Sequence, residues 1–242
     1  MDRSEVIQRL AVVRARIDAA VVAAGRSHGA VELLAVSKFH PASSVRAAHE
    51  AGQRAFGENR VQELSLKAFD IADLAGIEWH MIGSLQTNKA KDLLDVPGLA
   101  MLHSLDRAKL ADELQKELHK RGTKLRALIQ VHATGEETKH GCLPEDVRAL
   151  LAHVRSKCPS IAIEGLMAMG PLEGDPAPTF ALVHALLCDL RAETGLALPV
   201  LSMGMSGDLE VAIEEGATLV RVGTALFGER PRKADPQEGS DH

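Results

Sequence analysis

The sequence of 242 residues contains no tyrosine, one tryptophan and only five phenylalanines. It also lacks any stretch close to the roughly 20 apolar residues that a membrane-spanning helix requires. The formal net charge is −5, and no block of lysines and arginines stands out. These absences argue against a membrane protein and against a nucleic-acid-binding surface, so we expect neither partner.

Cysteine is scarce as well. Cys142, Cys158 and Cys188 lie far apart and form no CxxC pair, so we expect neither a disulfide framework nor a zinc module. The sequence contains no HExxH motif or closely spaced His/Cys set, and we therefore expect no metal site. Over residues 6–21 apolar residues recur at three- and four-residue steps, which is typical of an amphipathic helix and not of a signal peptide. We expect a cytoplasmic protein.

Eight short β-rich runs follow this first helix, and helical patterns separate them. Strict alternation of strands and helices predicts parallel strands joined by right-handed crossovers. Eight such units in about 250 residues are typical of a (β/α)8 barrel. The alternative, an open doubly wound sheet, is disfavoured because no GxGxxG motif follows the first strand. The predicted strands span residues 33–38, 54–59, 77–83, 101–106, 125–133, 161–169, 198–205 and 219–227.

The predicted fold class is therefore α/β, a single (β/α)8 TIM barrel with an extra N-terminal helix. We assign residues 1–230 to this barrel domain. Residues 231–242 are polar and contain no apolar residue larger than alanine, so we expect a disordered tail there.

Glycine and hydroxyl residues end the last two predicted strands. Ser206 and Gly207 follow the seventh strand in the run SMGMSGD, and Gly223 and Thr224 lie in RVGTALFG. Barrel enzymes often hold phosphate in the loops after strands 7 and 8, where backbone N–H groups can approach the ligand. The alternative is that these residues only cap a helix and turn the chain. Their occurrence on adjacent strands favours a phosphate site.

A lysine, Lys38, ends the first predicted strand in the run AVSKFHP. In a closed barrel the first strand neighbours the eighth, so its amine would lie close to the phosphate site. A ligand with an aldehyde at one end and a phosphate at the other would suit this pair, because the amine can form a Schiff base. Pyridoxal 5′-phosphate and a sugar phosphate both fit. The alternative is a solvated lysine or a phosphate counter-ion.

An arginine, Arg221, lies two residues before Gly223 and so shares its face of the strand. A guanidinium keeps its protons, so it can donate a hydrogen bond to an unprotonated pyridine nitrogen but cannot protonate it. The alternative is a buried ion pair with Glu58, Glu164 or Asp208.

Longer motifs resemble a known family. AVSKFHP, FGENRVQEL, WHMIGSLQTNK, GLMAMGP and LSMGMSGDLEVAIEEGATLVRVGTALFGER are similar to segments of the pyridoxal phosphate homeostasis proteins, and the resemblance covers residues 5–230. It implies a barrel like the N-terminal domain of alanine racemase, with pyridoxal 5′-phosphate as cofactor. It implies storage or delivery of that cofactor in the cell, with no established reaction. By this resemblance Lys38 forms the Schiff base, and Arg221 faces the pyridine nitrogen. The residues implied to bind the phosphate are Ser206, Gly223 and Thr224. The residues implied to contact the ring are Asn59, His80 and Met203.

Two positions depart from the pattern of that family. His132 stands where the family pattern has asparagine, so one pocket contact can differ. The loop of residues 170–180 lacks the basic residue expected just before Phe180.

The lack of tyrosine bears on the choice between a binding protein and a racemase. Racemisation on this cofactor needs two bases, one on each face of the substrate carbanion. Lys38 can supply one, and Cys142 is a poor substitute for the second because no activating partner is near it in sequence. We therefore predict a monomeric cofactor-binding protein and not an enzyme. PLP-requiring apoenzymes are the candidate recipients, and the alternatives are an amino-acid racemase and a Schiff-base sugar-phosphate aldolase.

Overall fold

The computed structural model describes residues 2–134 and 140–229. Eight parallel strands form a closed barrel in chain order, and β1 pairs with β8 to complete it. The prediction of a (β/α)8 barrel with an extra N-terminal helix is confirmed. The strands are β1 (Glu32–Val36), β2 (Ala55–Glu58), β3 (Glu78–Met81), β4 (Leu99–Leu105), β5 (Leu125–Val131), β6 (Ile161–Ala168), β7 (Val200–Ser202) and β8 (Leu219–Val222).

Helices surround the barrel and alternate with the strands. The additional helix precedes β1, and a short helical turn follows β8. The helices are α1 (Arg3–Ala23), α2 (Ala42–Glu50), α3 (Val61–Asp70), α4 (Ala90–Leu94), α5 (Ala108–Arg121), α6 (Val147–Lys157), α7 (Ala177–Thr194), α8 (Leu209–Glu214) and α9 (Thr224–Phe227), with 3-10 turns at Thr87–Lys89 and Pro144–Asp146.

The N-terminal helix α1 buries one apolar face against α2, α8 and α9. Burying each valine or leucine of this face stabilises the fold by about 1.5–3 kcal/mol relative to exposure. Consequently α1 is an integral part of the hydrophobic core. The buried residues of this face are Val6, Leu10, Val13, Ile17 and Val21.

Alternate residues of each strand face the helices and the barrel interior. The helix-facing residues belong to one large hydrophobic core. Met101, Leu128 and Met167 form a second, smaller cluster. Because Met167 also lines a cavity at the barrel mouth, this cluster lies inside the barrel. The interior is therefore partly apolar just below the mouth.

All eight strands end earlier than predicted, and the difference is largest for β7 and β8. The seventh predicted run extended to residue 205, but β7 ends at Ser202, and Gly204 has a φ of 90° that a strand residue does not adopt. The eighth extended to residue 227, but β8 ends at Val222 and residues Thr224–Phe227 form α9. In both cases a glycine turns the chain out of the sheet. The predicted disordered tail, 231–242, lies outside the described residues.

Among residues 2–134 and 140–229, no helix is both long and apolar enough to cross a membrane.

Candidate functional site

A cavity of about 500 Å³ opens at the carboxyl end of the barrel. Its size falls in the usual range of small-molecule sites. Val36, Ile82, Met167 and Met169 contribute apolar walls. Six of the eight predicted site residues lie on its surface, namely Lys38, Asn59, Ser206, Arg221, Gly223 and Thr224.

Lys38 follows β1 and is half-buried in this cavity. No carboxylate of the described residues lies within salt-bridge distance of its ammonium group, and its Nζ lies 6.0 Å from the centre of the Phe39 ring. Phe39 has a φ of 69°, a left-handed conformation that costs a non-glycine residue free energy. The strained backbone directly after Lys38 is typical of a functional site.

A buried polar network holds the segment that carries Lys38. Ser37 Oγ donates a hydrogen bond to Glu58 Oε1 at 2.7 Å, and Lys67 Nζ donates to the same oxygen at 2.5 Å. Lys67 Nζ also donates to the carbonyl oxygen of Ser37 at 2.7 Å. Burial raises the pKa of Glu58, and the charge of Lys67 opposes that rise. The network therefore ties the end of β1 to β2 and α3.

The loops after β7 and β8 present backbone N–H groups to the cavity. In the described parts of the chain, those of Ser206, Gly207, Gly223 and Thr224 donate no hydrogen bond to another protein group. Ser206 Oγ accepts a hydrogen bond from the N–H of Ala225 at 3.3 Å, which couples the two loops. Successive free N–H groups in such turns form concavities that bind anions.

Arg221 is buried in β8 at the floor of the cavity. One terminal nitrogen donates to Ser202 O at 2.8 Å and to Ser202 Oγ at 2.9 Å, and the other donates to Ala168 O at 2.9 Å. Burial lowers the pKa of Arg221 to about 10, so the side chain is still a cation at neutral pH.

The alternative of a buried ion pair for Arg221 is excluded within the described residues. No carboxylate there lies within salt-bridge distance of the guanidinium. Each of the three candidate acids binds another group: Glu58 binds Lys67 at 2.5 Å, Glu164 binds Arg126 at 2.7 Å, and Asp208 accepts from the N–H of Met205 at 2.5 Å.

Asn59 follows β2, and its backbone lies against Gly83 at the end of β3. A Cβ atom on Gly83 would lie 2.1 Å from the carbonyl oxygen of Asn59. Real Cβ atoms do not approach this closely, so only glycine fits there. The absence of a side chain at Gly83 thus sets the position of Asn59 in the cavity wall.

His80 and Met203 do not line the cavity, in contrast to the positions expected for them. Met203 is fully buried in the hydrophobic core between the barrel and the helices, because it faces the opposite side from Ser202. His80 faces the interior but lies one step deeper than Ile82, and its Nδ1 lies 2.8 Å from His103 Nε2. The ring contacts expected of these two residues stay predictions.

Two histidines at the cavity surface were not among the predicted site residues. His40 follows Lys38 by two residues, and its ring centre lies 5.5 Å from that of Phe227. Burial, and next the charge of Lys67, lower the pKa of His40, so it is neutral at pH 7. His140 lies after β5 and is exposed. The run SKFHP could have indicated that His40 lies in the cavity, because residues two apart, such as Lys38 and His40, can share a face.

Two other residues after β5, His132 and Cys142, do not line the cavity. Cys142 is buried, and burial raises the pKa of its thiol to about 11, so it is not a ready base. His132 donates its backbone N–H to the carbonyl oxygen of Cys142 at 2.8 Å, and its side chain does not line the cavity.

A cluster of metal-ligand type lies outside the cavity. The ligand atoms of Asp112, His153 and Cys158, from α5 and the end of α6, lie within 4.8 Å of one another. His153 Nε2 is 2.6 Å from Asp112 Oδ1, so the imidazole and the carboxylate already satisfy each other. The expectation of no metal site therefore stays a prediction.

The chain is similar to known proteins over most of its length. The family model described as "Alanine racemase, N-terminal domain" matches residues 9–231. The pyridoxal phosphate homeostasis protein of Aquifex aeolicus is 45% identical over 92% of this chain and 97% of its own length. The protein of the same name from Pseudomonas aeruginosa is 45% identical over 94% of this chain and 96% of its own length.

A solved structure is similar over the same range. PipY of Synechococcus elongatus PCC7942, with PLP bound, has a TM-score of 0.80 and 36% sequence identity. The similarity covers 92% of this chain and all of PipY, 100%. The curated relatives and PipY match this chain almost from end to end. The chain therefore belongs to the family of pyridoxal phosphate homeostasis proteins.

Proposed function

We propose that the chain binds pyridoxal 5′-phosphate in this cavity as a Schiff base on Lys38, and that it stores or delivers the cofactor without turning over a substrate. The observation that carries the proposal is a pair of features on one cavity. Within the described residues, the amine of Lys38 has no counter-ion, and the backbone N–H groups of the loops after β7 and β8 have no acceptor. The names of the relatives and the PLP bound to PipY support the same cofactor.

The residues present fit this group. The loops at Ser206–Gly207 and Gly223–Thr224 would hold the phosphate, because their free amides form an anion-binding concavity. Lys38 extends from the neighbouring strand, so its amine would meet the aldehyde end. The apolar walls formed by Ile82 and Met167 would contact the ring faces.

When bound, the cofactor supplies an aldehyde that condenses with an amine and a ring that withdraws electrons. The chain's own residues hold and orient it. The strained conformation of Phe39 and the Ser37–Glu58–Lys67 network keep Lys38 at the cavity rim. Arg221 would donate a hydrogen bond to the ring nitrogen and would keep its own proton.

The bases present in residues 2–134 and 140–229 support binding without turnover. Lys38 and His40 both lie on the segment after β1, whereas racemisation needs bases on opposite faces of the carbanion. The high pKa of Cys142 keeps its thiol protonated. The exposed His140 is hydrated, which weakens electrostatic assistance at the site. We also propose a monomer, with PLP-requiring apoenzymes as recipients, and light scattering tests that state.

The test is a visible spectrum with and without added PLP, followed by borohydride reduction and peptide mapping. We expect a yellow protein with the reduced adduct on Lys38, and a colourless Lys38→Ala variant. Lys124→Ala is the matched control, because Lys124 is exposed and lies outside the cavity. A colourless native protein that binds a triose phosphate instead would refute the proposal and favour the sugar-phosphate aldolase.

A further inference from the structure

A chain of buried polar groups runs through the barrel beneath the cavity. Arg221 donates to Ser202 Oγ at 2.9 Å, and His103 Nδ1 lies 3.2 Å from that oxygen. His103 Nε2 lies 2.8 Å from His80 Nδ1, and His80 Nε2 faces Glu78 Oε2 at 4.0 Å. The first four of these residues are at most 5% exposed. Water therefore does not compete for their hydrogen bonds.

The direction of each hydrogen bond follows from the arginine. A guanidinium only donates, so Ser202 Oγ accepts from Arg221 and keeps its own proton to donate. The nearest acceptor for that proton is His103 Nδ1. A neutral imidazole with an acceptor at Nδ1 carries its proton on Nε2, so His103 donates to His80 Nδ1. By the same logic His80 carries its proton on Nε2. The carboxylate of Glu78 lies 4.0 Å from this nitrogen, beyond hydrogen-bond distance, so Nε2 has no hydrogen-bond partner among the described residues.

The opposite arrangement leaves the hydroxyl hydrogen of Ser202 unpaired, whereas His80 Nε2 lacks a hydrogen-bond partner among the described residues in either arrangement. With a proton on His103 Nδ1, the hydroxyl of Ser202 would accept twice, and its hydrogen would have no partner in residues 2–134 and 140–229. His80 Nε2 would then direct a lone pair at the Glu78 carboxylate. Burial, followed by the charges of His80, Arg221 and Arg126, lowers the pKa of His103 well below its usual range, so its doubly protonated form is excluded.

We infer that Ser202, His103 and His80 are positioning residues, which fix the Arg221 guanidinium so that its remaining N–H donors face the cavity. Three of its five donors bind Ser202 and Ala168, which leaves two for a ligand. Each group of the chain directs its acceptor atom toward the arginine. These aligned dipoles stabilise a cation that has no carboxylate within salt-bridge distance among the described residues.

A ligand that binds tightly must therefore place a hydrogen-bond acceptor against the remaining N–H donors of Arg221. This part of the inference rests on the proposed function, in which that atom is the unprotonated ring nitrogen of PLP. An unprotonated ring nitrogen has one lone pair, so a ligand with a C–H group at that position would leave one more buried donor unpaired, which costs about tenfold to a hundredfold in affinity. The positioning chain is thus a specificity determinant for the ring nitrogen.

The first test is independent of the cofactor. Long-range proton–nitrogen NMR correlation spectra of the cofactor-free protein report the tautomer of each histidine. We expect His80 and His103 to be neutral with the proton on Nε2, with assignments from the signals lost in His80→Gln and His103→Gln. A proton on Nδ1 of either ring would overturn the inference. This result does not depend on whether PLP binds.

The second test compares the affinities for PLP and for its analogue with carbon in place of the ring nitrogen. We expect the native protein and His103→Gln, whose amide can both accept and donate, to prefer PLP by about tenfold or more. His103→Leu can do neither and should lose most of this preference. Ser202→Ala, which retains the main-chain acceptor for Arg221, serves if His103→Leu does not fold.

Ser44→Ala is the control for Ser202→Ala. Ser44 is also buried, but it lies in α2 and is not part of the chain of buried polar groups. A preference unchanged in His103→Leu and Ser202→Ala would overturn the positioning role. A native protein that binds neither ligand would refute the proposed function, and the tautomers would then decide the inference alone.

Discussion

Lys67 on α3 donates a hydrogen bond to Glu58 Oε1 on β2 at 2.5 Å, and the same ammonium group reaches the carbonyl oxygen of Ser37 at 2.7 Å. One ion pair thus joins a helix and two strands directly beside the residue that precedes Lys38. Its carboxylate is fully buried, and the lysine side chain is 11% exposed.

Replacing Glu58 with alanine leaves the buried charge of Lys67 without its carboxylate. We expect Glu58→Ala to lower the free energy of unfolding by about 3–5 kcal/mol, as for other broken buried pairs. Glu210→Ala is the control, since Glu210 pairs with Arg16 at the surface and should cost less than about 1 kcal/mol. Urea denaturation measures both. Equal losses in the two variants would contradict a special role for the buried pair.

Gly83→Ala tests the close approach of two strand ends. The new methyl group would meet the carbonyl oxygen of Asn59, so the backbone must move, which costs about 1–3 kcal/mol. Gly207→Ala is the matched control, because a Cβ there meets nothing within 4 Å, and its stability should change by less than about 1 kcal/mol. Thermal unfolding measures the difference. Similar melting temperatures would show that the loops relax freely.

How far the sequence predicts the site depends on the kind of information needed. Strand ends and the two-residue period are local, and they correctly brought Lys38, Arg221 and the two glycine turns to one cavity. How deep a side chain lies inside the barrel depends on where the neighbouring strands end. The same holds for the side that a residue faces once its own strand has ended. Met203 lies outside the cavity wall because it faces the opposite side from Ser202, and His80 because the cavity floor lies above it. The hydrogen bonds beneath the floor join distant segments, so no local pattern could reveal them.

The three cysteines should differ in reactivity toward a thiol reagent. Burial raises the pKa of Cys142 and of Cys158 to about 11, whereas Cys188 is exposed. At pH 8 only ~1 in 1000 of a thiol with that pKa is ionised, and the thiolate is the reactive form. We expect one fast thiol, lost in Cys188→Ser, and two slow ones whose rates rise about tenfold per pH unit up to about pH 11.

The sign of the accompanying stability change follows from the same pKa values. Burial raises the pKa of these two thiols from the ordinary value of 9.0, so the folded protein binds their protons more tightly than the unfolded chain does. Their contribution to the free energy of unfolding is therefore fully present below about pH 9 and is lost as the pH rises toward 11. Rapid modification of Cys142 or Cys158 at pH 8 in the folded protein would contradict the burial of their thiols.

Among residues 2–134 and 140–229 no second base forms a closed pair with Lys38, and we therefore predict no racemisation. Among the described residues, His140 lines the cavity from the side opposite Lys38. It follows β5, which lies four strands from β1 in the barrel of eight. It is exposed, so water solvates it and it does not form the closed pair of bases that the reaction requires. With PLP added, we expect L-alanine to lose its configuration no faster than with free PLP.

The measurement is chiral chromatography of alanine after incubation in D2O, together with NMR of deuterium uptake at Cα. Uptake with retained configuration would indicate one base, and Lys38→Ala should abolish it. Inversion in the native protein that is lost in His140→Ala, but not in His40→Ala, would identify His140 as the second base. That outcome would make the protein a racemase, because proton transfer would then occur from both faces of the carbanion.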